Sequence, residues 1–185
     1  MGQKGTETRN RLLDATRELV ETGGYAGAGL NQVVAVSGAP RGSLYFHFPG
    51  GKDQLVGETL RRAGRAIDGD LAELAAASAS AEEFVTGVLR HLGDQLEASG
   101  WRRGCPVATV ALETAATSDP LHAACSDVYA SWEATLRARL ADRADADDLA
   151  LTVLALVEGA LLLARAHRSR APLDAVARRI GALLA

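Results

Sequence analysis

Cysteine, aromatic residues and lysine are all scarce in this sequence of 185 residues. The two cysteines, Cys105 and Cys125, are too few for a disulfide framework and match no metal-ligand spacing. We therefore predict neither a disulfide-stabilised domain nor a metal site. Aromatic residues make up 4% of the chain, and its lysines are Lys4 and Lys52. The apolar content is mostly Ala, Leu and Val, and the richness in Ala and Leu favours packed helices. The composition predicts an all-α protein.

Long apolar runs are also missing. The most apolar stretch, residues 149–164, is interrupted by Thr152 and Glu158 and is shorter than the roughly 20 residues of a membrane span. We predict a buried helix there. The first 20 residues are polar and charged, without the apolar segment of a signal peptide. These features predict a cytoplasmic protein that does not bind a membrane.

Signatures of catalysis are absent as well. The four histidines, at positions 47, 91, 122 and 167, stand singly. The sequence has no Ser–His–Asp order, phosphate-binding loop or dinucleotide-binding glycine pattern. We predict that the protein is not an enzyme and uses no cofactor.

Apolar residues instead recur at helical spacing along most of the chain, which predicts about nine helices. Gly23 and Gly24 end the first helix, and Ser118 followed by Pro120 starts a later one. The predicted helices cover residues 6–22, 30–36, 40–46, 52–77, 81–98, 106–116, 119–143, 147–167 and 172–184. We predict a three-helix head over residues 1–50 and a C-terminal helical domain over residues 51–185.

The second and third predicted helices form a helix-turn-helix pattern. They are short and are joined by a turn in which Gly38 can adopt a positive φ and Pro40 suits the opening of the next helix. The helix after the turn is polar on its outer face, as entry into a major groove about 12 Å wide requires. Residues 1–66 carry nine Lys/Arg against six Asp/Glu, whereas the rest carries 11 against 17. This asymmetry favours contact of the N-terminal segment with a polyanion.

The sequence RGSLYFHF at residues 41–48, followed by Lys52, resembles the recognition helix of TetR-family repressors and the lysine that opens their fourth helix. Further segments are similar to the LmrA/YxaF-like subgroup of that family: GLNQ at 29–32, SGAPRGSLY at 37–45, FPGGK at 48–52, GCPV at 104–107 and ALE at 111–113. The resemblance implies a DNA-binding transcriptional repressor that a small molecule releases from its operator. Gly29 departs from the pattern, because many members have a Thr or Ser there that caps the second helix and contacts a phosphate; a Gly caps less well.

The predicted DNA contacts follow from side-chain chemistry. Arg41 can donate two bonds to a guanine or hold a phosphate, and Gly42 lets the backbone approach closely. Leu44 and Phe48 are expected in the core instead, and Tyr45 can serve in either place. The residues predicted to bind DNA are Gly29, Gln32, Pro40, Arg41, Gly42, Ser43, Tyr45, Phe46, His47 and Lys52.

Dimerisation is expected from both ends of the chain. The last two predicted helices each carry a wide apolar face, and the resemblance implies that they form a four-helix interface with a second copy. The alternative is that both faces fill the core of one chain. One recognition helix reads few base pairs, so we predict a homodimer with heads about 34–36 Å apart on a palindromic double-stranded operator.

The resemblance also implies a pocket for a small hydrophobic or aromatic effector in the C-terminal domain. Glu158 is informative, because a carboxylate in an apolar helix is costly unless paired, either with a ligand or with Arg165 or Arg168 across a dimer. Tyr129 and Trp132 can equally be plain core. The residues predicted to line the pocket are Phe84, Val88, His91, Trp101, Leu112, Glu113, Tyr129, Trp132 and Glu158.

Other functions stay open at this point. A redox-sensing DNA-binding regulator would use Cys105 and Cys125, although each can serve as a small buried hydrophobe. A transcriptional activator or a non-specific DNA organiser would share the helix-turn-helix.

Overall fold

The structure, a computed structural model, describes residues 2–184, which form nine α-helices and no β-strand. The all-α prediction with about nine helices is confirmed. The helices are α1 (Gln3–Gly27), α2 (Leu30–Ser37), α3 (Arg41–His47), α4 (Gly51–Ala77), α5 (Ala81–Ala98), α6 (Pro106–Thr114), α7 (Asp119–Arg139), α8 (Ala146–His167) and α9 (Ala171–Leu184).

Two helices differ most from their predicted spans. α1 does not end at Thr22 but continues to Gly27 after a kink at Gly24, where φ is 69° and ψ is −167°. α7 ends at Arg139 rather than at Arg143. The Arg143 Nε donates to Asp145 Oδ1 at 3.0 Å, a contact between residues two apart that a helix does not bring together.

The described chain divides into two compact units. Unit 1 runs to Gly64 and adds Pro106–Val128. Its helix-turn-helix core consists of buried apolar side chains from α1 to α4, and burial of each large one contributes roughly 1.5–3 kcal/mol. These side chains are Leu12, Leu13, Ala15, Val33, Ala39, Leu44, Phe48 and Leu55. The prediction that Leu44 and Phe48 belong to the core is confirmed.

Two ion pairs and one close helix–helix contact stabilise the packing of the helices in unit 1. Arg9 pairs with Glu58, and Arg62 pairs with Asp14 at 2.9 Å, so two contacts hold α1 to α4. A Cβ at Gly64 would lie 2.8 Å from both methyl carbons of Val128. The absence of a side chain at Gly64 therefore permits the close packing of α4 on α7.

Unit 2 comprises Arg65–Cys105 and the chain from Tyr129 onward. Ser80 is the N-cap of α5, and its hydroxyl accepts from the Glu83 N–H at 3.1 Å. The core packs α5, α7, α8 and α9 together through Phe84, Val85, Leu89, Leu96, Leu136, Leu140, Leu149, Ala150, Val153, Val157, Ala160, Leu161, Ala164, Leu173 and Ile180. The predicted functional division at residue 50 stays a prediction, since these compact units follow packing alone.

α8 is the most apolar helix of unit 2. By length and composition alone it is apolar enough to cross a membrane, as the core helix of a soluble protein can be. About a third (33%) of its most apolar stretch is buried. Much of the apolar surface of α8 is therefore left uncovered by its own chain.

Candidate nucleic-acid interface and effector site

The turn between α2 and α3 sets the angle of the helix-turn-helix. Gly38 has φ 61° and ψ 16°, in the left-handed region, and its N–H donates to the Val34 carbonyl at 3.1 Å. This confirms the positive φ predicted for Gly38. Pro40, with φ −58°, is the N-cap of α3, so the helix starts one residue later than predicted, at Arg41.

α3 presents a slim face to solvent. Leu44 is buried, whereas Tyr45 is 53% exposed and Phe46 is 75% exposed. Arg41 and Gly42 are exposed too, and a Cβ added at Gly42 would meet nothing within 4 Å. A seven-residue helix with a glycine in its first turn and exposed rings in its last turn matches the shape that entry into a major groove requires.

The other predicted DNA-binding residues of the helix-turn-helix lie beside that face. Gly29 is the N-cap of α2, with no side-chain bond there, and Gln32 is exposed in the first turn of the same helix. Ser43 and His47 are half-buried, and the His47 ring stands edge-on to Phe46 with 5.0 Å between ring centres.

Arg41 has a partner that the sequence reasoning missed. Its Nη2 donates to Asn31 Oδ1 on α2 at 2.9 Å. A signal was available, because Asn31 lies in the first turn of the helix predicted at 30–36, and the structure shows that it is exposed. The pair holds the guanidinium in one place on the surface of the helix-turn-helix.

Lys52, at the start of α4, lies with its Nζ 3.9 Å from the centre of the Tyr25 ring. Burial lowers the pKa of Lys52, and the nearby carboxylates of Glu113 and Asp53 oppose that shift. The predicted phosphate-binding lysine is thus half-buried and held by an aromatic face within unit 1.

Asp53 fixes the hydroxyl of the same tyrosine. Its Oδ1 accepts from Tyr25 Oη at 2.6 Å and its Oδ2 from Ser118 Oγ at 2.7 Å. Both bonds lower the pKa of Asp53. Burial, followed by the bond to Asp53, raises the pKa of Tyr25 to about 12.

Glu113 lies at the kink of α1. Its carboxylate accepts from the backbone N–H groups of Tyr25 at 3.0 Å and Ala26 at 2.9 Å. A Cβ at Gly24 would collide with the Glu113 carboxylate. We call the five polar residues around the kink the kink cluster: Tyr25, Lys52, Asp53, Glu113 and Ser118. Sequence reasoning missed Tyr25, Asp53 and Ser118 as members of a site.

The predicted effector residues fall into both units. Leu112 and Glu113 belong to unit 1, while the other seven belong to unit 2. Phe84 is fully buried in the core of unit 2, with Val88 and Trp101 packed against that core. His91 is nearer the surface, with its Nε2 2.6 Å from Gln95 Nε2.

Three of these residues come together with Cys105 in unit 2. The Tyr129 and Trp132 rings meet edge-on with 5.5 Å between their centres. Burial raises the pKa of Glu158, and hydrogen bonds from Cys105 and Tyr129 oppose that shift. Trp132 is 5% exposed, and its Nε1 has no hydrogen-bond partner among residues 2–184. We call Cys105, Tyr129, Trp132 and Glu158 the Glu158 cluster. It offers one buried donor, the Trp132 N–H, and one half-buried carboxylate.

Comparison of the sequence with known protein families finds a match for the helix-turn-helix and another for the C-terminal helices. Residues 12–59 match the sequence model of a family described as "Bacterial regulatory proteins, tetR family". Residues 81–179, more than half of the chain, match that described as "Transcriptional regulator LmrA/YxaF-like, C-terminal domain". The chain belongs to the TetR family of transcriptional regulators. This confirms the resemblance seen in the sequence.

Individual TetR-family relatives match along nearly the whole chain. The HTH-type transcriptional regulator LmrA of Bacillus subtilis is 35% identical, over 90% of this chain and 91% of its own length. The regulator YxaF of the same organism is 30% identical, over 96% and 95%. A solved TetR-family regulator from Cytophaga hutchinsonii has a TM-score of 0.85 at 22% identity, over 100% of this chain and 96% of that chain. This last similarity shows the fold.

Membership of the TetR family sets the general function. The protein is a DNA-binding transcriptional regulator with a helix-turn-helix, and regulators of this kind are generally not enzymes. The family implies a soluble protein of the cytoplasm. TetR-family regulators bind operator DNA and are typically dimers.

α8 carries several large apolar side chains that unit 2 leaves exposed. Leu151, Leu156, Leu162 and Leu163 are all 39% exposed or more. The large apolar residues of α9 are instead turned to the core of unit 2, with Leu173 and Ile180 each 1% exposed. The α8 leucine face, as we call these four residues, is therefore the main uncovered apolar surface of the last two helices.

The two cysteines differ in their surroundings. Cys125 is buried, and burial raises its pKa to about 11. Cys105 is half-buried and bonds to Glu158. The thiolate is the reactive form, so Cys125 is poorly suited to redox sensing. In residues 2–184, no group of three or more His, Cys, Asp or Glu could hold a metal ion.

Proposed function

We propose that this TetR-family protein is a repressor that binds a palindromic operator as a homodimer and is released by a small hydrophobic or aromatic effector. The observation that carries the proposal is the exposed face of α3, with Arg41, Gly42, Tyr45 and Phe46 turned to solvent beside the ordered Gly38 turn.

The proposed roles at the DNA follow from chemistry and exposure. Arg41 reads a guanine edge or holds a phosphate, and Gly42 allows close approach of the backbone. Tyr45, Ser43 and His47 bind phosphates through hydroxyl and imidazole groups. Gly29, Gln32, Pro40, Phe46 and Lys52 complete the proposed interface.

The α8 leucine face supports the proposed dimer. Burying these four leucines against a second copy would remove apolar surface from water. Each Å² buried would stabilise the dimer by about 25 cal/mol. Gly159 lies on the same helix, and a Cβ there would meet nothing within 4 Å, which permits close approach of a partner helix. We propose that α8 supplies most of the interface and α9 its margin.

The Glu158 cluster supports the proposed effector site. An aromatic effector with a hydrogen-bond acceptor would satisfy the buried Trp132 N–H, and a donor on the same molecule would bind Glu158. Further apolar and polar side chains are proposed to line the site: Phe84, Val88, His91 and Trp101. The effector shifts an equilibrium between two conformations by binding more tightly to the one that does not fit the operator.

The experiment is operator binding. The purified protein is titrated onto duplex DNA from upstream of its own gene and onto a random-sequence pool at fixed salt. The Arg41→Ala and Tyr45→Ala variants are compared with Arg90→Ala, a control at an exposed arginine of unit 2. Sequence-specific binding that is lost in the two α3 variants and kept in the control supports the proposal. Equal affinity for all duplexes would instead indicate a non-specific DNA organiser.

Effector binding is tested by fluorescence. The chain has two tryptophans, so the Trp101→Phe variant leaves Trp132 as the single reporter. A compound that releases the operator should also quench Trp132. Release from DNA without any change in Trp132 emission would place the effector elsewhere.

A further inference from the structure

Glu113 was predicted from sequence to line the effector pocket, but its contacts belong to the kink cluster of unit 1. Its carboxylate binds the N–H groups of Tyr25 and Ala26 rather than any residue of the Glu158 cluster. These contacts suggest a task connected with the DNA-binding helices.

The kink explains why a carboxylate is needed there. At Gly24 the backbone leaves the helical conformation with φ 69°, so a new turn begins at Tyr25. The first N–H groups of a turn have no carbonyl partner within it, and an anion satisfies them. Glu113 Oε1 lies where a Cβ at Gly24 would be, so the kink and the carboxylate fit each other.

Tyr25 connects the kink of α1 to the start of α4. Its backbone is held by Glu113 and its hydroxyl by Asp53, so the ring is held at both ends. The Lys52 ammonium lies on the face of that ring, 3.9 Å from its centre. A cation over an aromatic face is attracted by the ring electrons. The position of Lys52 therefore depends on the position of Tyr25.

The geometry points to Glu113 as a positioning residue for DNA binding: by fixing Tyr25 it sets where α4 presents Lys52 to a phosphate. This inference rests on the proposed function, in which Lys52 binds the operator backbone. Glu113 itself touches no DNA in this arrangement. Ser118, the residue before α7, supports it through its bond to Asp53.

The test replaces Glu113 with glutamine, which keeps the shape but turns one acceptor oxygen into a donor. Operator affinity of Glu113→Gln should fall about tenfold, and the salt dependence should weaken. Each lost phosphate contact reduces the slope of log K against log salt concentration by about 0.9. The proposed dimer has two DNA-binding heads and would lose one contact in each, so the slope should fall by nearly twice that amount. The control is Glu73→Gln, the same change of charge at an exposed carboxylate of α4, which should bind like the wild type.

A double-mutant cycle with Lys52→Ala distinguishes a positioning role of Glu113 from a merely structural one. If Glu113 acts through Lys52, then Glu113→Gln should cost little further affinity once Lys52 is gone. Circular dichroism checks that each variant is folded. If Glu113→Gln fails to fold, Tyr25→Leu, which removes the ring, takes its place in the same cycle with the same expected result.

The outcomes are distinct. Wild-type affinity and slope in Glu113→Gln, or an equal loss of affinity with and without Lys52, overturn the positioning role while leaving the proposed function intact. A wild-type protein that binds neither the duplex from upstream of its own gene nor any duplex in the random pool overturns the proposed function, and this inference with it.

Discussion

The Arg41 guanidinium donates to Asn31 Oδ1 at 2.9 Å, so the positive charge at the start of α3 is held by a side chain of α2. Both residues are exposed. An arginine already held in one orientation loses less conformational freedom when it binds a base or phosphate. The asparagine is thus expected to contribute to DNA affinity without contacting DNA.

The first prediction concerns this pair. Arg41→Ala should weaken operator binding by about 1–3 kcal/mol if the guanidinium reads a base. Asn31→Ala should cost less, about 0.5–1 kcal/mol, because only the ordering of Arg41 is lost. Fluorescence anisotropy at fixed salt measures both. Asn31→Ala should have no further effect in the Arg41→Ala protein; additive losses would mean that Asn31 binds DNA directly.

The second prediction concerns Tyr25→Phe, which removes the hydroxyl from Asp53. The free energy of unfolding at neutral pH should fall by about 1 kcal/mol. Because the folded pKa of Asp53 lies below its ordinary 3.8, its stabilising contribution is present above pH 3.8 and is lost as the pH falls through the lowered value. The difference between variant and wild type should therefore shrink in acid.

Urea unfolding at constant protein concentration measures this effect, since dimerisation makes stability depend on concentration. Tyr45→Phe, at a tyrosine of α3 that is 53% exposed, is the comparison variant for general effects of hydroxyl removal. A stability difference for Tyr25→Phe that stays constant from neutral pH to pH 3 would contradict the role given to Asp53.

The third prediction is that Glu158→Gln stabilises the free protein at neutral pH. Burial raises the pKa of Glu158 above its ordinary 4.5. The folded state therefore loses stability as the pH rises from 4.5 through that raised value, and glutamine lacks this loss. The variant and the wild type should have similar stability at pH 4 and should diverge as the pH rises. A variant that is less stable at pH 7 would show that the bonds from Cys105 and Tyr129 outweigh the cost of burying the charge.

The fourth prediction concerns the α8 leucine face. Leu162→Glu should convert a dimer to monomers, because the charge would be buried between two apolar surfaces. Leu112→Glu is a matched control, since Leu112 is 81% exposed on α6 while Leu162 is 59% exposed on α8. Sedimentation velocity distinguishes the two. Monomers in both variants, or dimers in both, would argue against the α8 interface.

The fifth prediction addresses the redox alternative. At pH 8, iodoacetamide should label Cys105 well before Cys125, because burial keeps the Cys125 thiol protonated with a pKa of about 11. Mass spectrometry of the native and urea-unfolded protein measures both rates. Operator affinity should be equal in peroxide and in reductant. A loss of affinity in peroxide that Cys105→Ser abolishes would favour redox sensing.

Local features of the fold were predictable from sequence. The Gly38 turn, the buried Leu44 and the bounds of α5 follow from residue types and spacing within a few positions. Each depends on neighbours in the chain. The family resemblance also came mainly from segments within residues 29–52, with shorter matches at 104–107 and 111–113.

The kink cluster was not predictable in this way, because its members are distant in sequence. The two glycines at 23 and 24 predicted the end of the first helix, whereas the structure has a kink at Gly24 and a further turn whose N–H groups Glu113 satisfies. Ser118 was expected to cap α7, and its hydroxyl instead donates to Asp53. For α9, periodicity indicated an apolar face but not its partner, and the structure packs Leu173 and Ile180 into the core of unit 2.

Because the chain has only two lysines, the Lys52 ammonium can be labelled almost selectively. Reductive methylation with a ¹³C-labelled reagent would introduce reporters at Lys4, Lys52 and the terminal amine alone. Lys4 is exposed on α1, whereas methyl groups on Lys52 would lie against the Tyr25 ring and resonate upfield through its ring current. One two-dimensional NMR spectrum would then follow the kink of α1 during titration with operator or effector.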